Sequence, residues 1–353
     1  MNESFSLDSL LRDNIRNLVP YSSARDEFKG EASVLLDANE NAFGSPHSEN
    51  YNRYPDPLQH RVKQKLAHIK GVPAANIFLG NGSDEAIDLL YRAFCRPGLD
   101  NVIVVPPTYG MYEVSANIND VTLRKVNLTA EYQLDLDGIA NAIDKYTKMI
   151  FVCSPNNPTG NSINRQDIET LLVNFKGLVV VDEAYINYAK QPSFTKELAE
   201  FPNLVVLQTL SKAWGLAALR LGMAFASQDI IAVFNKIKPP YNINQATQNI
   251  VLEALENVEQ VNEWIKLIVA EREKLSQALL QIEQVYHVTP SDANFILVKL
   301  EEPRLLYNFL VSKGIIVRDR SKVELCEGCL RLTVGTPEEN ITLLETIYSY
   351  YNA

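Results

Sequence analysis

The stretch Thr209-Leu-Ser211-Lys212-Ala-Trp-Gly-Leu-Ala-Ala-Leu-Arg220-Leu-Gly222 joins two short apolar runs, Leu204 to Leu207 and Leu221 to Ala226. Each run reads as a buried strand. Between them a lysine follows two hydroxyl residues and precedes a loop of small side chains, and an arginine stands eight positions further on. An amine in that setting suits capture of a carbonyl group, provided that an acid and anion-binding groups converge on it from elsewhere in the chain.

The wider pattern offers them. Strand-like runs at Val102 to Val105, Val121 to Val126, Met149 to Cys153 and Leu178 to Val181 alternate with helical patterns over 109–117, 136–143 and 168–175. Short, nearly all-apolar strands separated by helices predict an α/β fold whose mostly parallel sheet is covered on both faces. Ligands of such sheets sit beyond the carboxyl ends of the strands. That rule selects Pro107-Thr-Tyr109, Ser154-Pro-Asn-Asn157-Pro-Thr-Gly160, Asp182-Glu-Ala-Tyr185 and Thr209 to Lys212. Upstream, Ile77-Phe-Leu-Gly-Asn-Gly-Ser83-Asp84-Glu reads as a strand, a glycine-flanked turn and a helix start. The free amides there can cradle a phosphate, with Ser83 as a plain helix cap the competing reading.

The chain has 353 residues, enough for a large core and a second, smaller domain. A net charge of −10 argues against nucleic acid or an anionic membrane as the main partner. The cysteines at 95, 153, 326 and 329 are scattered and imply no disulfide framework. Cys326-Glu-Gly-Cys329 reads as a turn entering a strand, and no metal site is expected. With neither a signal-peptide pattern nor an apolar run near the ~18 residues that span a bilayer, the expected location is the cytoplasm.

Residues 5–18 predict one amphipathic helix, Val34 to Leu36 a strand, and Pro57 to about Lys70 a helix. Two helices between about 243 and 280 lead into an α+β portion. Its strands are expected at 285–288, 295–300, 315–317 and 330–334, and its helices at 303–313 and 337–350. The expected division is an arm over 1–29, a large domain over 30–243 and a small C-terminal domain over 244–353.

Taken together, Ser154 to Gly160, Val181-Asp182-Glu-Ala-Tyr185, and Ser211-Lys212 with Arg220 resemble the fold-type I pyridoxal-phosphate aminotransferases across nearly the whole chain. Asn17-Leu-Val-Pro-Tyr21-Ser-Ser-Ala-Arg25, Asp37-Ala-Asn-Glu-Asn41, Asn52-Arg-Tyr-Pro55 and Cys329-Leu-Arg-Leu-Thr-Val-Gly335 look like its histidinol-phosphate branch. Trp214 departs from the phenylalanine that many relatives carry, without removing a chemical group.

The resemblance implies pyridoxal 5'-phosphate as cofactor, carried on Lys212, which also moves the substrate's proton. Asp182 would pair with the pyridinium nitrogen, Tyr185 and Asn157 with the phenolic oxygen, and Tyr109 with the ring face. Ser83, Asp84, Thr209, Ser211 and Arg220 would hold the phosphate. Tyr54 is assigned to the cofactor of a neighbouring subunit, so that a homodimer shares its active sites. Alternation along Leu330-Arg331-Leu332 turns Arg331 away from the leucine face. The family implies that Arg331, with Arg318, Tyr21 and Asn157, binds substrate, the arginines gripping its distal anion. Arg320 and the cysteine pair receive no role. The implied reaction is transamination of L-histidinol phosphate with 2-oxoglutarate, giving imidazole acetol phosphate and glutamate in histidine biosynthesis. Rival readings are a threonine-phosphate decarboxylase, an aromatic amino-acid aminotransferase and, more remotely, a non-catalytic ligand sensor.

Overall fold

The computed structural model of the chain describes residues 5–21 and 33–352. Seven strands form the larger sheet: β1 Ile77–Asn81, β2 Asn101–Val104, β3 Thr122–Lys125, β4 Thr147–Cys153, β5 Leu178–Asp182, β6 Leu204–Thr209 and β7 Leu221–Ala226. Their spatial order is β1-β7-β6-β5-β4-β2-β3. The ladders from β6 to β3 are parallel, and β7 runs antiparallel to both of its neighbours.

Both faces of the sheet are dry, which explains the continuous apolar runs. Leu178 and Val180 of β5 join one core layer with Met149, Phe151 and Val205. Val179 and Val181 join the other with Ile150, Val152 and Val206. Helices Gly82–Phe94, Met111–Ile118 and Gln228–Ile237 cover the first layer. Helices His60–Lys70, Leu136–Ala142, Arg165–Asn174 and Gln245–Ala254 cover the second. Because side chains alternate along a strand, Asp182 belongs to the row of Leu178 and Val180, beneath Met111–Ile118.

The smaller sheet contains β8 Val285–Val288, β9 Phe295–Leu300, β10 Arg318–Asp319 and β11 Cys329–Thr333, in the order β10-β11-β9-β8 and antiparallel throughout. Ile296, Val298, Leu330 and Leu332 on one face pack with Leu306, Leu310, Leu343 and Ile347 of helices Pro303–Ser312 and Pro337–Tyr351. The 22-residue helix Val258–Leu279 ties the two cores together. Val261 is buried in the first, Leu275 and Leu279 in the second. Phe295, on the opposite face of β9, meets Tyr185 edge-on with ring centroids 5.0 Å apart.

Several expectations are corrected. The single helix over 5–18 is two short helical turns, Leu7–Leu10 and Asp13–Arg16, separated by extended backbone at Leu11 and Arg12. Arg12 is drawn to the end of helix Gly82–Phe94 instead, its amide bonding the Ala93 carbonyl at 3.1 Å and its guanidinium the Arg92 carbonyl at 2.9 Å. Val34 to Leu36 form no strand and are largely exposed, so no burial stabilises a ladder there. The helix expected from Pro57 begins at His60, because the Asp56 carboxylate takes the amides of Leu58 and His60 in a preceding turn. In the small sheet, pairing falls on Arg318–Asp319 rather than 315–317, leaving Ile316 exposed. Helix Gln228–Ile237 was not anticipated, although Ser227 caps it and Ile230, Ile231 and Phe234 give its buried face. Ser22 to Arg25 lie outside the described residues.

The start of helix Gly82–Phe94 and β7 approach so closely that a Cβ on Gly222 would lie 2.1 Å from the Ser83 amide nitrogen. Gly222→Ala is therefore expected to destabilise the chain by about 1–3 kcal/mol. The effect would be read as a lower urea midpoint. Gly110→Ala, where a Cβ meets nothing within 4 Å, should leave the midpoint nearly unchanged.

Candidate active site

The carboxyl ends of β4, β5 and β6 and the start of helix Gly82–Phe94 surround a cavity of ≈ 80 Å³. Asp182, the last residue of β5, forms part of its floor at 2 % exposure. Its Oδ2 accepts from the Tyr112 hydroxyl at 2.7 Å and its Oδ1 from the Ala184 amide at 3.1 Å. Burial raises its pKa to about 6, against the lowering influence of those donors and of Lys212.

Glu183 points the other way. It is buried, accepts from Ser193, from the Phe194 amide at 2.7 Å and from Gln208 Nε2 at 2.9 Å, and burial pushes it up to about 7. Strand alternation thus divides the adjacent acids, sending one to the cavity and one into a structural network.

Lys212 follows β6 on a turn in which the Ser211 amide donates to Thr209 Oγ1 at 3.1 Å. Its amine faces the cavity, 5.6 Å from the centroid of the Tyr185 ring. Lys212 is exposed by surface area, yet desolvation of its amine within the cavity depresses its pKa, and the cations Arg331 and Arg220 press the same way against the pull of Asp182 and Asp84. A lysine so placed releases its proton more readily than a surface one.

The phosphate-type cradle has the expected parts. The Gly82 amide donates to the Arg220 carbonyl at 2.7 Å, which fastens the helix start to the residue before β7. Arg220 adopts a left-handed φ of 52° and its Nη2 lies 3.4 Å from Asp84 Oδ2. A Cβ at Gly82 would come within 2.6 Å of that nitrogen, so the guanidinium's seat exists only because residue 82 is glycine. Ser83, Thr209 and Ser211 line the same end, and Tyr109 donates to Asp84 Oδ1 at 3.1 Å. Amides at a helix start, hydroxyls and a guanidinium form a donor set suited to a phosphate monoester. An acid at one end and an amine with depressed pKa beside it suit the ring nitrogen and aldehyde of pyridoxal phosphate, so the residues present fit that group.

Asn157 links this cavity to the small sheet. Its Nδ2 stands 3.5 Å from the Tyr185 hydroxyl, and its Oδ1 accepts from Arg331 Nη1 at 2.5 Å. The Arg331 guanidinium lies 5.1 Å from the Phe295 ring centroid, away from the buried Leu330 and Leu332 as alternation requires. Arg318 faces Arg331 in the β10–β11 register and, with Arg320, helps to lower its pKa after burial, the leading cause.

Ser83, Asp84, Tyr109, Asn157, Asp182, Tyr185, Thr209, Ser211, Lys212 and Arg220 all line the one cavity. Tyr54 does not. It stacks on Tyr241 with centroids 4.5 Å apart, in a separate surface hollow beside Arg53 and Asn244. Tyr21 is 74 % exposed at the end of the described N-terminal segment and is not brought to the cavity.

Sequence reasoning missed Tyr112, the donor to Asp182. The available signal was its spacing of three from Tyr109 at a helix start, which puts the two on one side. It also missed the Cys153 lining and set aside Arg320, whose buried Nε, like that of Arg331, has no hydrogen-bond partner among the described residues.

A family profile described as aminotransferase class I and II matches residues 29–347. The chain belongs to that family. It is 56% identical, over 97% of its length and 98% of the relative, to histidinol-phosphate aminotransferase of Parabacteroides distasonis. The solved histidinol-phosphate aminotransferase of Clostridium acetobutylicum shares its fold at TM-score 0.79 and 24% identity, covering 86% of this chain and 91% of that one. The Sinorhizobium meliloti enzyme, solved in complex with pyridoxal-5'-phosphate, has TM-score 0.76 and 24% identity, covering 89% and 90%.

Two outcomes follow for this aminotransferase. Removing the cation that most depresses it, by Arg331→Gln, should raise the Lys212 pKa, seen as an upward shift in the pH midpoint of Lys212 acetylation followed by mass spectrometry. Glu183 titrates above its ordinary 4.5, so the folded state holds a proton that the unfolded chain has lost, and its contribution weakens as pH rises through about 7. The thermal midpoint of Glu183→Gln should therefore depend less on pH across that interval than that of the wild type.

Proposed function

We propose that the chain transfers the amino group of L-histidinol phosphate to 2-oxoglutarate, giving imidazole acetol phosphate and L-glutamate in histidine biosynthesis, with pyridoxal 5'-phosphate as cofactor. The observation that carries this reading is the convergence of Lys212 and Asp182 on one cavity, with Arg331 hydrogen-bonded to Asn157 of its lining. The names of relatives at about half identity or more support the substrate.

Bound there, pyridoxal phosphate supplies an aldehyde that takes up the substrate's amino group and a protonated ring that accepts the electron pair left at the substrate Cα. The chain's residues do the rest. Arg220, Ser211, Thr209 and the amides of Ser83 and Asp84 hold the phosphate, and Tyr109 covers the ring. Asp182, ionised, pairs with the ring nitrogen and keeps it protonated. Tyr185 and Asn157 donate to the phenolic oxygen. Lys212, uncharged, would take up the proton at the substrate Cα and hold it beside the cofactor, and its depressed pKa favours that neutral form.

Arg331, with Arg318 and Tyr21, binds the substrate's distal anion, and Asn157 orients Arg331. A guanidinium accepts phosphate and carboxylate in the same bidentate manner, so one site serves histidinol phosphate and glutamate in turn. The working unit is a cytoplasmic homodimer in which Tyr54 of each copy reaches the other's cofactor phosphate. This accounts for its place outside the cavity of its own chain.

The test supplies the purified, cofactor-loaded chain with L-histidinol phosphate and 2-oxoglutarate and measures glutamate. Wild type should form it, Lys212→Ala should form essentially none, and Arg331→Lys should raise KM roughly tenfold or more for both the amino donor and the 2-oxo acid acceptor through loss of the bidentate contact. Carbon dioxide released from a phosphorylated amino acid, with no glutamate formed, would overturn the proposal.

A further inference from the structure

We propose that Tyr112 is a positioning residue for the reaction, aiming the Asp182 carboxylate into the cavity and holding it in its charged form. The consequence for catalysis rests on the cofactor reading above, whereas the interaction itself belongs to the chain. The Tyr112 side chain is fully buried and its hydroxyl has little freedom. Its ring stacks on Phe151 at 4.8 Å and meets Tyr109 edge-on at 5.6 Å, while its backbone carbonyl receives the Tyr91 hydroxyl at 2.8 Å. From that seat the hydroxyl donates to Asp182 Oδ2 at 2.7 Å, and Ala184 occupies Oδ1.

Among the described residues these two are the hydrogen-bond donors to the carboxylate, one on each oxygen. The pair fixes the plane of the group and leaves further lone pairs for a cationic ring nitrogen. A charged acceptor is also the form that a neutral phenol donor favours.

The groups around Asp182 make that donor necessary. Burial opposes ionisation, and Asp84 on helix Gly82–Phe94 repels the charge. Lys212, beyond β6, attracts it, but the reaction needs that amine neutral for part of each cycle. Cys153 at the end of β4, Tyr109 before helix Met111–Ile118 and Tyr185 after β5 face the same space. Each is held in its protonated, uncharged form by burial. Tyr112 is likewise kept protonated, and so remains a donor at any pH at which the protein is folded.

The experiment follows the Asp182 carboxyl band by difference infrared spectroscopy of the full chain without cofactor, assigned by its loss in Asp182→Asn. Wild type should titrate near pH 6. Tyr112→Phe should move the midpoint up by on the order of one pH unit. Site-specific 3-fluorotyrosine at position 112, a stronger donor of nearly the same size, should move it down. Tyr91→Phe removes a buried hydroxyl that bonds the Tyr112 carbonyl rather than Asp182, and should move it far less.

A midpoint at the wild-type value in folded Tyr112→Phe, or an equal shift in Tyr91→Phe, would show Tyr112 to be filler and sink the proposal. If Tyr112→Phe fails to fold by circular dichroism, the fluorotyrosine chain decides in the same way. A failed transaminase assay would not alter these titrations, so the two readings stand or fall separately.

Discussion

The parallel ladder β4-β5-β6 is the constraint on which the site depends. Cys153 lies opposite Asp182 and Asp182 opposite Leu207, so three strands end at nearly the same level. Their continuations, the Asn157 turn, the Tyr185 loop and the Lys212 turn, leave from one edge and share one cavity. Burial of apolar side chains on both faces holds the register, since a slip of one residue would exchange Asp182 with Glu183 and put the wrong acid on the floor. The energy that places the chemistry is thus supplied far from it, by Val179, Val181, Val206 and their neighbours.

Within that frame the charges are set against one another. Asp182 is pushed toward its neutral form by burial and drawn back by Tyr112, Ala184 and Lys212. Lys212 is pushed toward its neutral form by desolvation and by Arg331 and Arg220, and drawn back by Asp182 and Asp84. Groups whose preferences are balanced in this way can change protonation with modest changes in their surroundings, as a proton-transfer site requires. The same arginine that lowers the lysine pKa is held by Asn157, which also stands beside Tyr185. Arg331 of the small sheet and Tyr185 after the large sheet's β5 therefore share Asn157 as a partner.

Legibility in the sequence followed the local character of each signal. The central strands of the large sheet could be read because strands buried on both faces are apolar throughout, and several cavity residues because they closely follow such runs. The N-terminal segment was misread because Leu10 and Arg12 answer to the far end of helix Gly82–Phe94 rather than to their own periodicity. Ile315 to Val317 were misread because an edge strand forms only where a partner lies, and β11 offers its ladder to Arg318 and Asp319. Tyr112 was missed because its spacing from Tyr109 indicates only a shared side, whereas its role lies in a contact across 70 positions.

By itself the sequence determined the α/β architecture, the family and the residue types at the strand ends, because burial periodicity and turn chemistry are written in neighbouring residues. Only the tertiary structure decided which acid of the Asp182–Glu183 pair faces the cavity floor beside Tyr112, that Arg331 meets Asn157, and that Tyr54 lies away from its own chain's cavity. The physical reason is that these facts depend on distances between residues far apart along the chain, and such distances exist only once both cores have closed.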